Sequence, residues 1–227
     1  MGAKTYTSSA ERAVCLTRHN LKQTTLLSDA HTSSGVVFAF TERSGGVSNA
    51  PFDSLNLAYH VGDEQRLVDE NRNRLLAAFG KEAWQAEAKL LAPTQIHSDK
   101  LVEITRKPDE AMYKELKQGA DGIILSEPGC AAMLLFADCV PVFILANKAC
   151  ALVHSGWRGT LAHIVKKALD RLAAISKQDK GSFKVYFGPY IDQKNYEVSQ
   201  EMLDSFIEEF GADVVDGNTL DLGKAIY

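Results

Sequence analysis

The chain has 227 residues, 45% of them hydrophobic, with 25 Lys and Arg against 29 Asp and Glu and a formal net charge of −4. That apolar content is ample for one large packed α/β domain, and with no Lys/Arg-rich run to track a phosphate backbone, no nucleic-acid partner is expected. No stretch approaches the roughly 20 consecutive apolar residues of a membrane span, and the polar N-terminus lacks the apolar centre of a secretory signal, so no membrane partner and a cytoplasmic location are expected. The four cysteines, Cys15, Cys130, Cys139 and Cys150, are too few for a disulfide scaffold and read as reduced thiols.

Residues 1–34 are weakly patterned and are expected to form a loosely attached arm, leaving 35–227 as a single α/β domain. Residues 35–40 read as a strand, followed over 41–56 by a long polar loop with the paired glycines Gly45-Gly46. Asp63 is placed to cap a helix whose inner side carries Leu67, Leu75, Ala78 and Phe79, with Asn71 as a polar exception and Gly80 as the stop. Strands are expected over 90–96, 101–105 and 123–125, with a short polar helix over 109–118.

The runs at 131–137, 142–146 and 149–153 are continuously apolar, as in strands covered on both faces, and Asn147-Lys148 reads as a tight turn between the last two. A helix over 160–176 buries Leu161, Ile164, Val165, Ala168, Leu169 and Leu172; a strand over 183–187 follows. Ser199 caps a last helix carrying Met202, Leu203, Phe206, Ile207 and Phe210, which Gly211 ends.

The hairpin around Asn147-Lys148 carries the chemistry. If Ala146 faces Ala149, His154 falls opposite Pro141, and Cys139 becomes a diagonal cross-strand neighbour of His154, about 7 to 8 Å away at the backbone. His97, at the end of the 90–96 run, is the candidate third member. Two imidazoles and a thiolate suit zinc, and three protein ligands are the number found in catalytic rather than structural sites. Spacing alone leaves two alternatives open: Cys139 as a packed hydrophobe, and a thiol hydrolase in which His154 activates Cys139 as nucleophile.

Ser155-Gly156-Trp157-Arg158-Gly159-Thr160 leads from a strand into a helix, so Gly156 backbone and Arg158 are candidates for phosphate or another anion, with self-capping of the helix as the alternative. Arg43, beside Gly45-Gly46, is a second candidate anion ligand. Asp138 next to Cys139 is placed to act as general acid or base, to orient a metal ligand, or simply to cap a turn.

The strings Thr41-Glu42-Arg43-Ser44-Gly45-Gly46, His60-Val61-Gly62-Asp63, Gln95-Ile96-His97-Ser98, Ala120-Asp121-Gly122, Ala137-Asp138-Cys139-Val140-Pro141 and His154-Ser155-Gly156-Trp157-Arg158-Gly159 together resemble the laccase-domain, or polyphenol-oxidase, family of purine nucleoside phosphorylases. The resemblance implies zinc on His97, Cys139 and His154, in preference to copper, and an α/β sandwich similar to the toxin-type cysteine hydrolases. It implies phosphorolysis of adenosine, inosine, guanosine and methylthioadenosine, deamination of adenosine, and a monomer or weak oligomer acting on small nucleosides and phosphate. Alternatives are a Cys-His amide hydrolase that edits peptidoglycan precursors and a copper polyphenol oxidase, the latter needing paired imidazoles that six scattered histidines without His-x-His do not supply. Cysteines that family members often place before Tyr-Glu-Val are here Lys194-Asn195, and the chain stops at Tyr227, short of a further family segment, so a truncated sequence is expected.

Overall fold

A computed structural model describes residues 16–21, 24–29, 35–79 and 90–226. The chain divides into two compact units, residues 1–89 and 90–227. Within the expected arm, Thr17–Leu21 and Thr24–Ser28 are strands.

In the first unit β1 (Thr17–Leu21), β2 (Thr24–Ser28) and β3 (Phe40–Thr41) form an antiparallel sheet in that order. The expected strand over 35–40 is therefore confined to its last residue and Thr41. Helix α1 (Gln65–Ala78) begins one residue later than an Asp63 cap would give, because Asp63 is engaged by the loop: its Oδ2 accepts bonds from Ser48 Oγ at 2.6 Å and Asn56 Nδ2 at 2.9 Å. The polar exception in α1 has the same partner. Asn71 is fully buried, accepts Val47 N–H at 2.7 Å, and donates to Ser48 Oγ at 2.8 Å and Asn56 O at 2.8 Å. A helix residue that satisfies loop amides in this way replaces the regular structure that 41–56 lacks. Gly80 lies outside the described residues.

The second unit is mixed α/β. Strands β4 (Leu101–Ile104), β5 (Gly122–Leu125), β6 (Val140–Ala146), β7 (Ala149–Ser155) and β8 (Lys184–Phe187) form a sheet in the order β4-β5-β7-β6-β8. β4 and β5 run parallel, joined through helix α2 (Glu110–Gln118), whose first turn is capped by Asp109 accepting Met112 N–H at 3.0 Å; the other pairs are antiparallel. β5 shows why the strands read as unbroken apolar runs. Ile123 joins a cluster with Leu91, Ile104 and Leu116, while its neighbour Ile124 joins one with Ile144, Val153, Leu172 and Phe206, so both faces are covered.

Two expected strands are missing. Residues 90–96 and 131–137 meet at one parallel bridge, Leu91 with Ala132. Pro93 has no N–H to extend the ladder, and the Gln95 side-chain amide takes over, donating to Leu135 O and accepting Leu135 N–H, both at 2.7 Å. The expected helix over 160–176 is two, α3 (Trp157–Leu161) and α4 (Ile164–Ser176), because His163 between them is left-handed at φ 56°. Helix α5 (Gln200–Phe210) is capped by Ser199 and ends at Gly211 as expected, and two short strands, β9 (Val215–Asp216) and β10 (Thr219–Leu220), follow. Among the described residues no helix is long and apolar enough to cross a membrane, and Cys130, Cys139 and Cys150 are free thiols; Cys15 lies outside them.

Candidate metal centre

The two-residue turn at Asn147-Lys148 sets the register of β6 and β7: Ala146 faces Ala149, Pro141 faces His154 and Val140 faces Ser155. Cys139, one residue before β6, is thereby brought to the β6 side of His154. On the other side of β7, β5 begins at Gly122 opposite Val153, which puts Asp121 beside His154. The pairing is extended by His154 N–H donating to Asp121 O at 2.7 Å. His97 arrives from the segment before β4, on a left-handed turn with φ 57°.

These four positions meet at one rim of the sheet. Ligand atoms of His97, Cys139 and His154 all lie within 4.8 Å of one another, with His154 buried, Cys139 half-buried and His97 exposed. The two imidazoles stand edge to face, with centroids 4.9 Å apart. A tetrahedral zinc ion sets about 3.3 to 3.7 Å between such donors, so a side-chain adjustment of about 1 Å closes the set. Gly156 gives the cluster its room: a Cβ there would stand 3.1 Å from Cys139 Sγ and 3.1 Å from His97 Cδ2. The residues present fit a metal ion held by two nitrogens and one sulfur.

Asp121 is the residue that spacing did not single out. It is fully buried, and its Oδ1 stands 2.9 Å from His154 Nδ1, leaving Nε2 of that ring as the ligand atom. Burial favours the neutral acid, but bonds from His154, Ser98 and His97 outweigh it and hold the carboxyl at about 2. Burial likewise works against the His154 imidazolium, yet hydrogen bonds to Asp121 and Cys139, and their charges, raise its pKa to about 9. The signal in the sequence was an acid directly before the buried run at 122–125, in Ala120-Asp121-Gly122.

The other expected site residues have partners of their own. Asp138 is exposed, and its backbone carbonyl accepts Ile191 N–H at 3.0 Å; the carboxylate in contact with a cluster histidine is Asp121. Arg158 is exposed, with its guanidinium carbon 4.2 Å over the Trp157 ring. Arg43 belongs to the first unit, where Asp53 engages it through its backbone carbonyl, 3.0 Å from Nε, and its carboxylate, 3.0 Å from Nη2. Three residues join the cluster's surroundings unannounced. Phe136 lies with its ring 5.4 Å from that of His154 and is 37% exposed, and Ile96, which precedes His97, is 51% exposed. The Tyr196 phenol is raised by burial and by the charges of Cys139 and Asp138, which places it beside the same rim.

The family model described as multi-copper polyphenol oxidoreductase laccase matches residues 37–226, and the chain belongs to that family. Among its relatives, purine nucleoside phosphorylase Rv2149c of Mycobacterium tuberculosis is 34% identical over 166 residues, covering 72% of this chain and 62% of the relative. Purine nucleoside phosphorylase YfiH of Shigella flexneri is 33% identical over 177 residues, 76% of this chain and 66% of the relative. The chain thus spans somewhat under two thirds of the length of the relatives it matches. The crystal structure of YlmD from Geobacillus stearothermophilus superposes with a TM-score of 0.78 at 25% identity, covering 94% of this chain and 82% of that one.

Proposed function

We propose that this chain carries the metal centre of a zinc-dependent purine nucleoside phosphorylase that also deaminates adenosine. The observation that carries the reading is the convergence of His97, Cys139 and His154 at one rim, in a family whose relatives bear the phosphorylase name. Zinc is favoured over a multicopper set because this is the one such group among the described residues, where a multicopper set needs several. When bound, zinc with three protein ligands supplies Lewis-acid polarisation and lowers the pKa of water towards about 7.

The chain's own residues supply the rest. Asp121 fixes the His154 ring so that Nε2 faces Cys139 and His97. Phe136 offers a purine an apolar face beside the cluster. Arg158 and the Gly156 amide are the groups we assign to phosphate beside the cluster, with Arg43 kept as a separate anion ligand of the first unit. In phosphorolysis a phosphate oxygen attacks the ribose C1′, the bond from C1′ to the base nitrogen breaks, and the purine leaves with a proton. In deamination water adds at C6 and ammonia leaves. Adenosine, inosine, guanosine and methylthioadenosine share the base and ribose this scheme handles. The test is the zinc content of the purified chain together with phosphate-dependent release of hypoxanthine from inosine and ammonia from adenosine. A zinc-loaded chain inert in all of these would refute the reading.

One observation favours a second reading. His154 hydrogen-bonds Cys139 on one side and Asp121 on the other, the arrangement of a thiol hydrolase such as the amide hydrolase of precursor editing. Amide hydrolysis that survives complete zinc removal and disappears on thiol alkylation would establish it.

A further inference from the structure

We infer that Asp121 is the positioning residue of the metal centre, a single carboxylate that sets both the backbone of one ligand and the ring of another. The inference rests on the metal-centre reading above. The carboxylate accepts the amide of Ile96 at 3.3 Å, of His97 at 3.0 Å and of Ser98 at 2.6 Å, the Ser98 hydroxyl at 2.8 Å, and faces His154 Nδ1 at 2.9 Å. Three consecutive amides aimed at one anion form a nest, a geometry that requires a left-handed residue within the run; His97 is that residue, at φ 57°. A non-glycine side chain is held there against its preference, and the fully buried carboxylate is what holds it.

His97 lies beyond the last ties of its segment, which are the bridge at Leu91, the bonds of Thr94 to Leu116 and Ala120 and those of Gln95 to Leu135; the amides of 96–98 go to Asp121, and the His97 side chain is exposed. Its position therefore depends on the nest. His154 needs no such help with its backbone, which β7 fixes, but its ring can rotate, and the bond to Asp121 selects one orientation and leaves Nε2 for the metal. One group thus joins a ligand delivered by a strand to a ligand delivered by a turn.

The test uses the full chain with Asp121→Asn, which keeps volume but turns one acceptor oxygen into a donor facing other donors, and Ser98→Ala, which removes one of the five bonds. Zn²⁺ affinity is measured by competition with a chromophoric chelator, ligand geometry from the d–d absorption of the Co²⁺-loaded protein, and the nest itself from amide exchange at 96–98 in the metal-free protein. Asp121→Asn is expected to weaken zinc about 10- to 100-fold, to shift the Co²⁺ spectrum and to speed exchange at all three amides. Ser98→Ala is expected to change each in the same direction, with a loss of affinity below about tenfold. Wild-type affinity and spectrum in folded Asp121→Asn overturn the inference, as does a lowered melting temperature with an unchanged zinc affinity below it. If Asp121→Asn does not fold, Ser98→Ala decides: unchanged exchange and affinity there overturn it. A zinc-loaded wild-type chain without phosphorolysis would instead sink the phosphorylase reading and leave these measurements as they stand.

Discussion

Replacing Gly156 by alanine adds one methyl group among the three proposed ligands. The backbone there, at φ −80° and ψ 173°, is extended and open to any residue, so the substitution carries no conformational penalty of its own. What it meets is specific: the new carbon would lie 3.1 Å from Cys139 Sγ, 3.1 Å from His97 Cδ2 and 3.8 Å from His154 Cε1. Carbon makes its best contacts at about 3.5 to 4.0 Å, so both nearer ligands must retreat by several tenths of an ångström. Overpacking of this kind costs about 1 to 3 kcal/mol. Without metal the two side chains can move aside and recover part of it; with metal they cannot, so most of the cost falls on binding. Zinc affinity is expected to fall about 10- to 100-fold, since about 1.4 kcal/mol is tenfold, while the metal-free chain loses less than about 1 kcal/mol in urea unfolding. Chelator competition on both proteins measures the first quantity. Wild-type zinc affinity in Gly156→Ala would refute the view that the glycine makes room for the ligand set.

Cys139→Ala is expected to lose both zinc and turnover while its circular dichroism stays that of the parent; full zinc stoichiometry in that variant would remove Cys139 from the ligand set. Asn71→Leu keeps the volume of a fully buried side chain but strands Val47 N–H and the carbonyls it serves, and should destabilise by about 2 to 4 kcal/mol in chemical denaturation. Cys150 is pushed by burial up to about 12. With the folded pKa above the unfolded one, this thiol favours folding fully below pH 9 and loses that contribution as pH rises from 9 towards 12. At pH 8 only about one Cys150 in 10⁴ is thiolate, so a disulfide reagent should leave it unmodified in the native protein and label it on unfolding.

The hairpin was legible in the sequence because its two apolar runs are separated by a two-residue turn, and a turn of that length dictates every cross-strand pair up to His154. The runs at 90–96 and 131–137 look similar on paper yet give a single bridge. Pro93 alone was no warning, since β6 accommodates Pro141 opposite His154; the polar pair Thr94-Gln95 was the available sign in the first run, and the second carried none. Both carboxylates near the cluster precede an apolar strand by a residue or two, so Asp138 and Asp121 were equivalent by local sequence. Adjacency to Cys139 favoured the first; the antiparallel placement of β5 against β7, a long-range fact, gives the contact to the second.

The turn at Asn147-Lys148 lies at the opposite end of β6 and β7 from the rim, about 20 Å away at some 3.4 Å per residue. Side chains alternate between faces, so a one-residue slip of β7 at that bend would turn His154 from one side of the sheet to the other. The register that a small polar bend hands to the two strands, far from any ligand, is thus as binding a constraint on the metal chemistry as the identity of the ligands.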